Sequence, residues 1–66
     1  MILAIDMGNS NIVVGGIDSS RIYFEERLTT DRNKTNLEYA ISIKNILVIH
    51  GIEVSSIEGT IISSVV

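Results

Sequence analysis

One segment combines residue types that can do chemistry at a workable spacing: Ile2–Val13, I-L-A-I-D-M-G-N-S-N-I-V. An apolar run ends in Asp6; Met7 and Gly8 follow, then three small polar residues, Asn9, Ser10 and Asn11, before the chain turns apolar again at Ile12 and Val13. Gly8 lets the backbone bend and approach a ligand with no Cβ in the way. Successive backbone N–H groups at such a bend can form an anion-binding nest, and Asn9, Ser10 and Asn11 add side-chain donors. Asp6 is a hard oxygen ligand suited to Mg²⁺, which takes one or two carboxylates plus water and phosphate oxygens. A carboxylate beside a polyphosphate repels it unless a cation lies between, so Asp6 in this role requires a metal. The chemistry in reach is the holding of a nucleotide's terminal phosphates. By spacing alone, a plain hairpin whose turn uses Asp, Gly and Asn fits equally well. The segment is not a Walker loop, because G-K-[ST] is absent and no helix follows the turn. Nor is it a dinucleotide fingerprint, since G-x-G-x-x-G is absent.

The elements around this segment read in order. Ile2–Ile5 is a short run rich in branched apolar residues, as in a buried strand. Asp6–Asn11 is dense in turn formers. Ile12–Ile17 is apolar again, and Gly15–Gly16 inside it point to a bulge or a close backbone approach. Asp18-Ser19-Ser20 is a second turn. Arg21–Leu28 alternates, which places Ile22, Phe24 and Leu28 on one side of a half-buried strand. Three strands joined by short turns predict an antiparallel meander. After the polar loop Thr29–Asn33, T-N-L-E at Thr35–Glu38 is a capping box that starts a helix running to about His50. Gly51 is the expected residue just past its end. Glu38, Ser42 and Asn45 form a narrow polar face. Ala40, Ile43 and Leu47 lie opposite, flanked by Leu37, Ile41, Ile46 and Val48, so the helix is expected to be covered on most sides. Ser55–Glu58 reads as a short turn and Gly59–Val66 as a final strand, parallel to an earlier one through a right-handed crossover. The order is β-β-β-α-β.

Length and composition bound the rest. A chain of 66 residues is at most one small domain, and a domain of that size buries only about 60% of its unfolded surface. Cysteine is absent and His50 is the only histidine, so neither a disulfide nor a zinc cluster can supply stability. The apolar end T-I-I-S-S-V-V and the wide apolar helix together predict a piece of a longer protein. A net charge of −3 with five Lys and Arg argues against a nucleic-acid surface. No run approaches the roughly 20 apolar residues of a membrane span. Met1–Asp6 has no basic flank and breaks at Asp6, unlike a targeting segment, so the expected location is the cytoplasm.

The strand, D-M-G-N-S-N, strand pattern resembles the first phosphate motif of the actin, hexokinase and Hsp70-like ATPase superfamily. Within it, the chain resembles the type III pantothenate kinases, on three segments that occur in the family's order and span the chain nearly end to end. Ile5–Val13 is similar to the family's I-D-x-G-N-T-N start. Thr29–Thr35, T-T-D-R-N-K-T, with Glu38-Tyr39 after it, resembles T-D-R-x-x-T-x-x-E-Y. Ile57–Val66, I-E-G-T-I-I-S-S-V-V, resembles I-x-x-x-I-I-S-S-V-V-P. Ser10 stands where Thr is usual, which keeps the hydroxyl.

The resemblance implies an α/β fold: a β-β-β-α-β piece of an actin-like (ribonuclease H-like) ATPase domain, a mixed sheet with a covering helix. Residues 1–66 would be the N-terminal part of the first actin-like domain, with its remainder and the second domain lying beyond. It implies phosphorylation of pantothenate by ATP, the first step of coenzyme A biosynthesis, by a homodimer that needs Mg²⁺ and a monovalent cation, K⁺ or NH₄⁺. Carried over by position, Asp6, Met7, Gly8, Asn9, Ser10, Asn11, Ile12 and Val13 form the ATP-phosphate loop, with Asp6 toward the metal. The general base, the pantothenate pocket, the monovalent-cation ligand and the adenosine contacts fall past Val66. No catalytic residue is therefore expected here, and the 66-residue chain alone is expected to be inactive. Two other readings stand beside this one: a non-enzymatic, Bvg accessory factor-like transcriptional regulator of the same family, and a small structural module with an incidental turn. Of the remaining polar residues, Asp31 is expected to cap its own loop and Arg32 to be a solvated charge. Tyr39 is expected to pack with a wet hydroxyl, His50 to favour the helix C-terminus, and Ser63 and Ser64 to be structural.

Overall fold

The computed structural model describes residues 1–64. Four strands form one mixed sheet in the order β3-β2-β1-β4, with one helix against it. They are β1 (Ile2–Met7), β2 (Asn11–Ile17), β3 (Ile22–Thr29) and β4 (Gly59–Ser64), and the helix α1 is Asn36–Ile49. β1, β2 and β3 form the expected antiparallel meander, and β4 pairs parallel to β1 after the helix. The α/β class and the β-β-β-α-β order stand as predicted. Val65 and Val66, the end of the predicted last strand, lie outside the described residues. Among those described, no helix is long and apolar enough to cross a membrane.

The elements form for local reasons. Thr35 takes extended backbone, its hydroxyl accepts from the Glu38 amide at 3.2 Å, and the Glu38 carboxylate accepts from the Thr35 amide at 3.1 Å. That is the predicted capping box. At the far end Gly51 sits at φ 70°, the Ile52 amide donates to the Leu47 carbonyl, and the Gly51 amide to that of Val48. This is a Schellman motif, and it satisfies two carbonyls the helix would otherwise leave bare. The predicted turn near Ser55–Glu58 is a 3₁₀ turn at Val54–Ser56.

One face of the sheet meets the helix. Leu3, Ile12, Val14 and Phe24 from the strands join Ile46 and Leu47 from α1 in the buried core. A bulge or a close approach is expected at Gly15–Gly16. β2 itself carries no extra residue, but opposite it Gly16 pairs with Phe24 while Ile17 pairs with Ile22, so Tyr23 is an extra residue on the facing strand β3. The insertion inverts the alternation. Ile22, expected beside Phe24, instead joins Ile17 on the face away from the helix and is exposed. Gly16 is required for a second reason. A Cβ there would lie 2.4 Å from the Phe24 ring, so the ring fills the space where a side chain would stand.

The outer side of α1 is bare. Leu37, Ile41 and Val48 are 68%, 51% and 66% exposed, so the broad apolar helix expected to be covered on most sides is covered by the described residues on one side only.

Candidate functional site

The strands extend further toward the turn than the composition indicates. Asp6 and Met7, read as turn residues, are the last two residues of β1, paired with Val13 and Ile12 on one side and with Ser63 and Ser64 on the other. The bend is confined to Gly8, Asn9 and Ser10. Because side chains alternate along a strand, Met7 points to the helix side and Asp6 to the open face. There Asp6 is exposed and helps line a shallow cleft of about 150 Å³ with Ala4, Val13, Gly15, Ile61 and Ser63.

The turn is tight and braced. The Gly8 amide donates to the Asn11 carbonyl at 2.9 Å, closing the bend, so that N–H is engaged within the turn. Gly8 does not take a positive φ. Its glycine is needed because a Cβ would lie 2.9 Å from the Asn11 carbonyl oxygen. The Gly8 carbonyl accepts from Thr30 Oγ1 at 2.9 Å, and the Ser10 carbonyl accepts from the Thr30 amide at 3.0 Å. Asn9, Ser10 and Asn11 are exposed. Their polar side chains are free to meet a ligand at the bend, while the carbonyls of Gly8 and Ser10 are turned to other partners.

Asp6 Oδ1 accepts a hydrogen bond from Ser63 Oγ at 3.1 Å. Among the described residues no basic side chain pairs with Asp6, and no three His, Cys, Asp or Glu side chains come together. A lone exposed carboxylate does not make a protein-only metal cage. It does fit Mg²⁺, which is commonly held by one or two carboxylates with substrate phosphates and waters filling the remaining positions.

The eight residues read as the phosphate loop are thus contiguous in space, but they divide by role. Asp6, Asn9, Ser10 and Asn11 offer polar groups to solvent. The Ile12 side chain, 2% exposed, belongs to the hydrophobic core. Val13 lies in the central strand between Asp6 and Arg27. Ile12 and Val13 therefore anchor the turn through the strand ladder.

The neighbouring loop is tied to the same place. Asp31 caps its own loop as expected, its Oδ1 accepting from the Asn33 amide at 2.9 Å. The Tyr39 hydroxyl lies at an exposed site, where it also accepts from the Asp31 amide and donates to the Asp31 carbonyl, each at 2.7 Å. His50 caps the end of α1, stacks on Phe24 with centroids 5.0 Å apart, and meets Glu26 Oε1 through Nε2 at 2.8 Å. Three hydrogen bonds at the turn had no sequence signal: the one from Ser63 to Asp6, and the two from Thr30 to the Gly8 and Ser10 carbonyls.

A family model for type III pantothenate kinase matches residues 2–66. Curated proteins named type III pantothenate kinase align over the whole chain. Those of Geotalea uraniireducens, Brevibacillus brevis and an Exiguobacterium species are 47%, 44% and 42% identical, and the aligned part is 26% of each relative. The chain thus spans about a quarter of the length of the curated relatives it matches. With the matched segment reaching from the first strand to the last residue, this chain belongs to the type III pantothenate kinase family.

Proposed function

We propose that this chain supplies the ATP-phosphate loop of an enzyme that phosphorylates pantothenate, the first step of coenzyme A biosynthesis. The observation that carries the reading is the exposed Asp6 carboxylate at the end of β1, beside a braced turn that presents Asn9, Ser10 and Asn11 to solvent. Phosphoryl transfer is mostly positioning and charge stabilisation, and this site has the parts for one half of that work. Asn9, Ser10 and Asn11 would donate to the β- and γ-phosphate oxygens. Asp6 would hold Mg²⁺, which neutralises charge on those phosphates when bound. Ser63 would orient the Asp6 carboxylate.

Accepting the pantothenate hydroxyl proton needs a general base, and in this reading Asp6, the only carboxylate of the loop, is given to Mg²⁺. The base, the pantothenate pocket and a site for K⁺ or NH₄⁺ would come from the rest of the full-length protein, acting as a cytoplasmic homodimer. Residues 1–66 alone would not turn over ATP. The relatives carry the name of a kinase, and no observation favours the regulator reading.

Calorimetry of Mg-ATP with the full-length protein tests the site. Binding that depends on Mg²⁺ and is lost in Asp6→Asn is the expected result; equal binding by the variant refutes the role of Asp6. A coupled assay for pantothenate-dependent ATP consumption tests the reaction, and its absence in a protein that binds Mg-ATP would favour the regulator.

A further inference from the structure

Thr30 stands at the junction of three elements. The residue before it, Thr29, ends β3 and pairs with Asn11. The residue after it, Asp31, is held through its amide and carbonyl by the Tyr39 hydroxyl of α1. Thr30 itself grips the β1–β2 turn twice, donating from Oγ1 to the Gly8 carbonyl at 2.9 Å and from its amide to the Ser10 carbonyl at 3.0 Å.

Two physical consequences follow from this contact. First, the turn's conformation is set from outside its own hairpin, by a residue 22 positions away. Second, a carbonyl dipole aimed at a phosphate would repel it, and the Thr30 bonds engage the carbonyls of Gly8 and Ser10, both within the bend. A β-branched side chain holds few rotamers, so Thr directs its hydroxyl more firmly than Ser would. The side chain is half-buried, and a hydrogen bond partly shielded from water is stronger than one in solvent.

We propose that Thr30 is a positioning residue for nucleotide phosphates: it clamps the β1–β2 turn in the shape that receives the anion, and it couples that shape to α1 through Asp31 and Tyr39. The proposal rests on the phosphate-loop reading. It assigns Thr30 no contact with substrate and no proton to move. Preorganisation of this kind acts on ATP and leaves the acceptor pocket alone.

The test uses Thr30→Val, which keeps the shape and deletes the hydroxyl, and Thr30→Ser, which keeps the hydroxyl and deletes the methyl, both in the full-length protein. Mg-ATP binding is read by calorimetry, and KM for ATP and for pantothenate by steady-state assay. Loss of one neutral hydrogen bond predicts Mg-ATP binding weaker by about three- to tenfold in Thr30→Val, with KM for ATP raised alike. KM for pantothenate stays unchanged, and Thr30→Ser, which keeps the hydroxyl on a freer side chain, loses less than Thr30→Val. Wild-type affinity in Thr30→Val overturns the clamp. So does equal loss for both substrates, which marks a general structural role, and so does a Thr30→Ser variant as impaired as the valine. Should Thr30→Val unfold, Thr30→Ala, which also lacks the hydroxyl, takes its place under the same criteria. A wild-type protein that does not bind Mg-ATP sinks the phosphate-loop reading itself; one that binds it while Thr30→Val is unchanged sinks only the clamp.

Discussion

Ser63 Oγ donates to Asp6 Oδ1 at 3.1 Å, across two adjacent parallel strands and 57 positions of sequence. The two residues are register partners, so their side chains leave the sheet on the same face, away from α1. The bond restricts the rotation of an exposed carboxylate that otherwise has no partner among the described side chains. A carboxylate that binds a metal is usually oriented by such a neighbour. In the full-length protein, Ser63→Ala is expected to weaken Mg²⁺-dependent ATP binding by about three- to tenfold, and Asp6→Asn by more. Calorimetry at several Mg²⁺ concentrations checks this, and an unchanged Ser63→Ala would make the bond incidental.

Gly8 is expected to be intolerant of even one methyl. The clash in Gly8→Ala is with the Asn11 carbonyl oxygen at 2.9 Å, a backbone atom that moves only if the turn moves. The Gly8 amide bond to that same oxygen would stretch with it. A destabilisation of about 1–3 kcal/mol is the scale for such overpacking. Denaturant unfolding measures that cost, and Mg-ATP binding should fall in the same variant.

Gly15 and Gly16 are adjacent and should behave differently. A Cβ on Gly16 would sit 2.4 Å and 2.8 Å from two atoms of the Phe24 ring and 2.9 Å from Met1 Sδ. A Cβ on Gly15 would sit 3.4 Å from the Phe24 carbonyl oxygen, a far smaller intrusion. Gly16→Ala is expected to cost about 1–3 kcal/mol by displacing Phe24 from its stack on His50. Gly15→Ala should be near neutral, since the lost flexibility of the unfolded chain offsets a mild contact. Paired thermal melts of the two variants compare them directly.

The turn after β2 predicts an acid dependence. Asp18 accepts from the Tyr23 hydroxyl, from the Ser20 amide and hydroxyl at 2.8 Å each, and from the Arg21 amide at 3.0 Å. Tyr23 first, then Ser20, holds the Asp18 carboxyl well below the ordinary carboxylate range. A carboxyl whose pKa is lower in the folded than in the unfolded chain stabilises the fold above the unfolded value. That contribution is lost as pH falls toward the folded value. Thermal stability should therefore drop between about pH 5 and pH 2, and Asp18→Asn should flatten that part of the profile. The same bond raises the Tyr23 phenol. Its contribution is present below the unfolded phenol pKa of about 10 and lost above it.

Much of this protein was legible along the chain, because its signals are local. The capping box at Thr35 and Glu38 and the glycine at Gly51 depend on spacings of a few residues, and both stand in the structure. The glycine pair pointed to a bulge or a close approach in β2; the Phe24 ring does approach Gly16, but the inserted residue lies on the facing strand. Tyr23 is that residue, and it moved Ile22 to the opposite face. The alternation of β3 was readable; the point where pairing slips by one, between Gly16 and Ile17, was not.

The amino-acid order by itself determined the element types, their order, the helix caps and the family. Each of these is written in neighbouring residues or in motifs that keep their spacing. Only the tertiary structure decided that Asp6 faces solvent beside Ser63, that Ile12 is core, and that Thr30 reaches back to Gly8 and Ser10. Those facts depend on strand register and on which face each side chain leaves. Turn length and the apolar pattern constrain register within a hairpin, but the Ser63 and Thr30 contacts join residues 57 and 22 positions apart, and no local pattern encodes those.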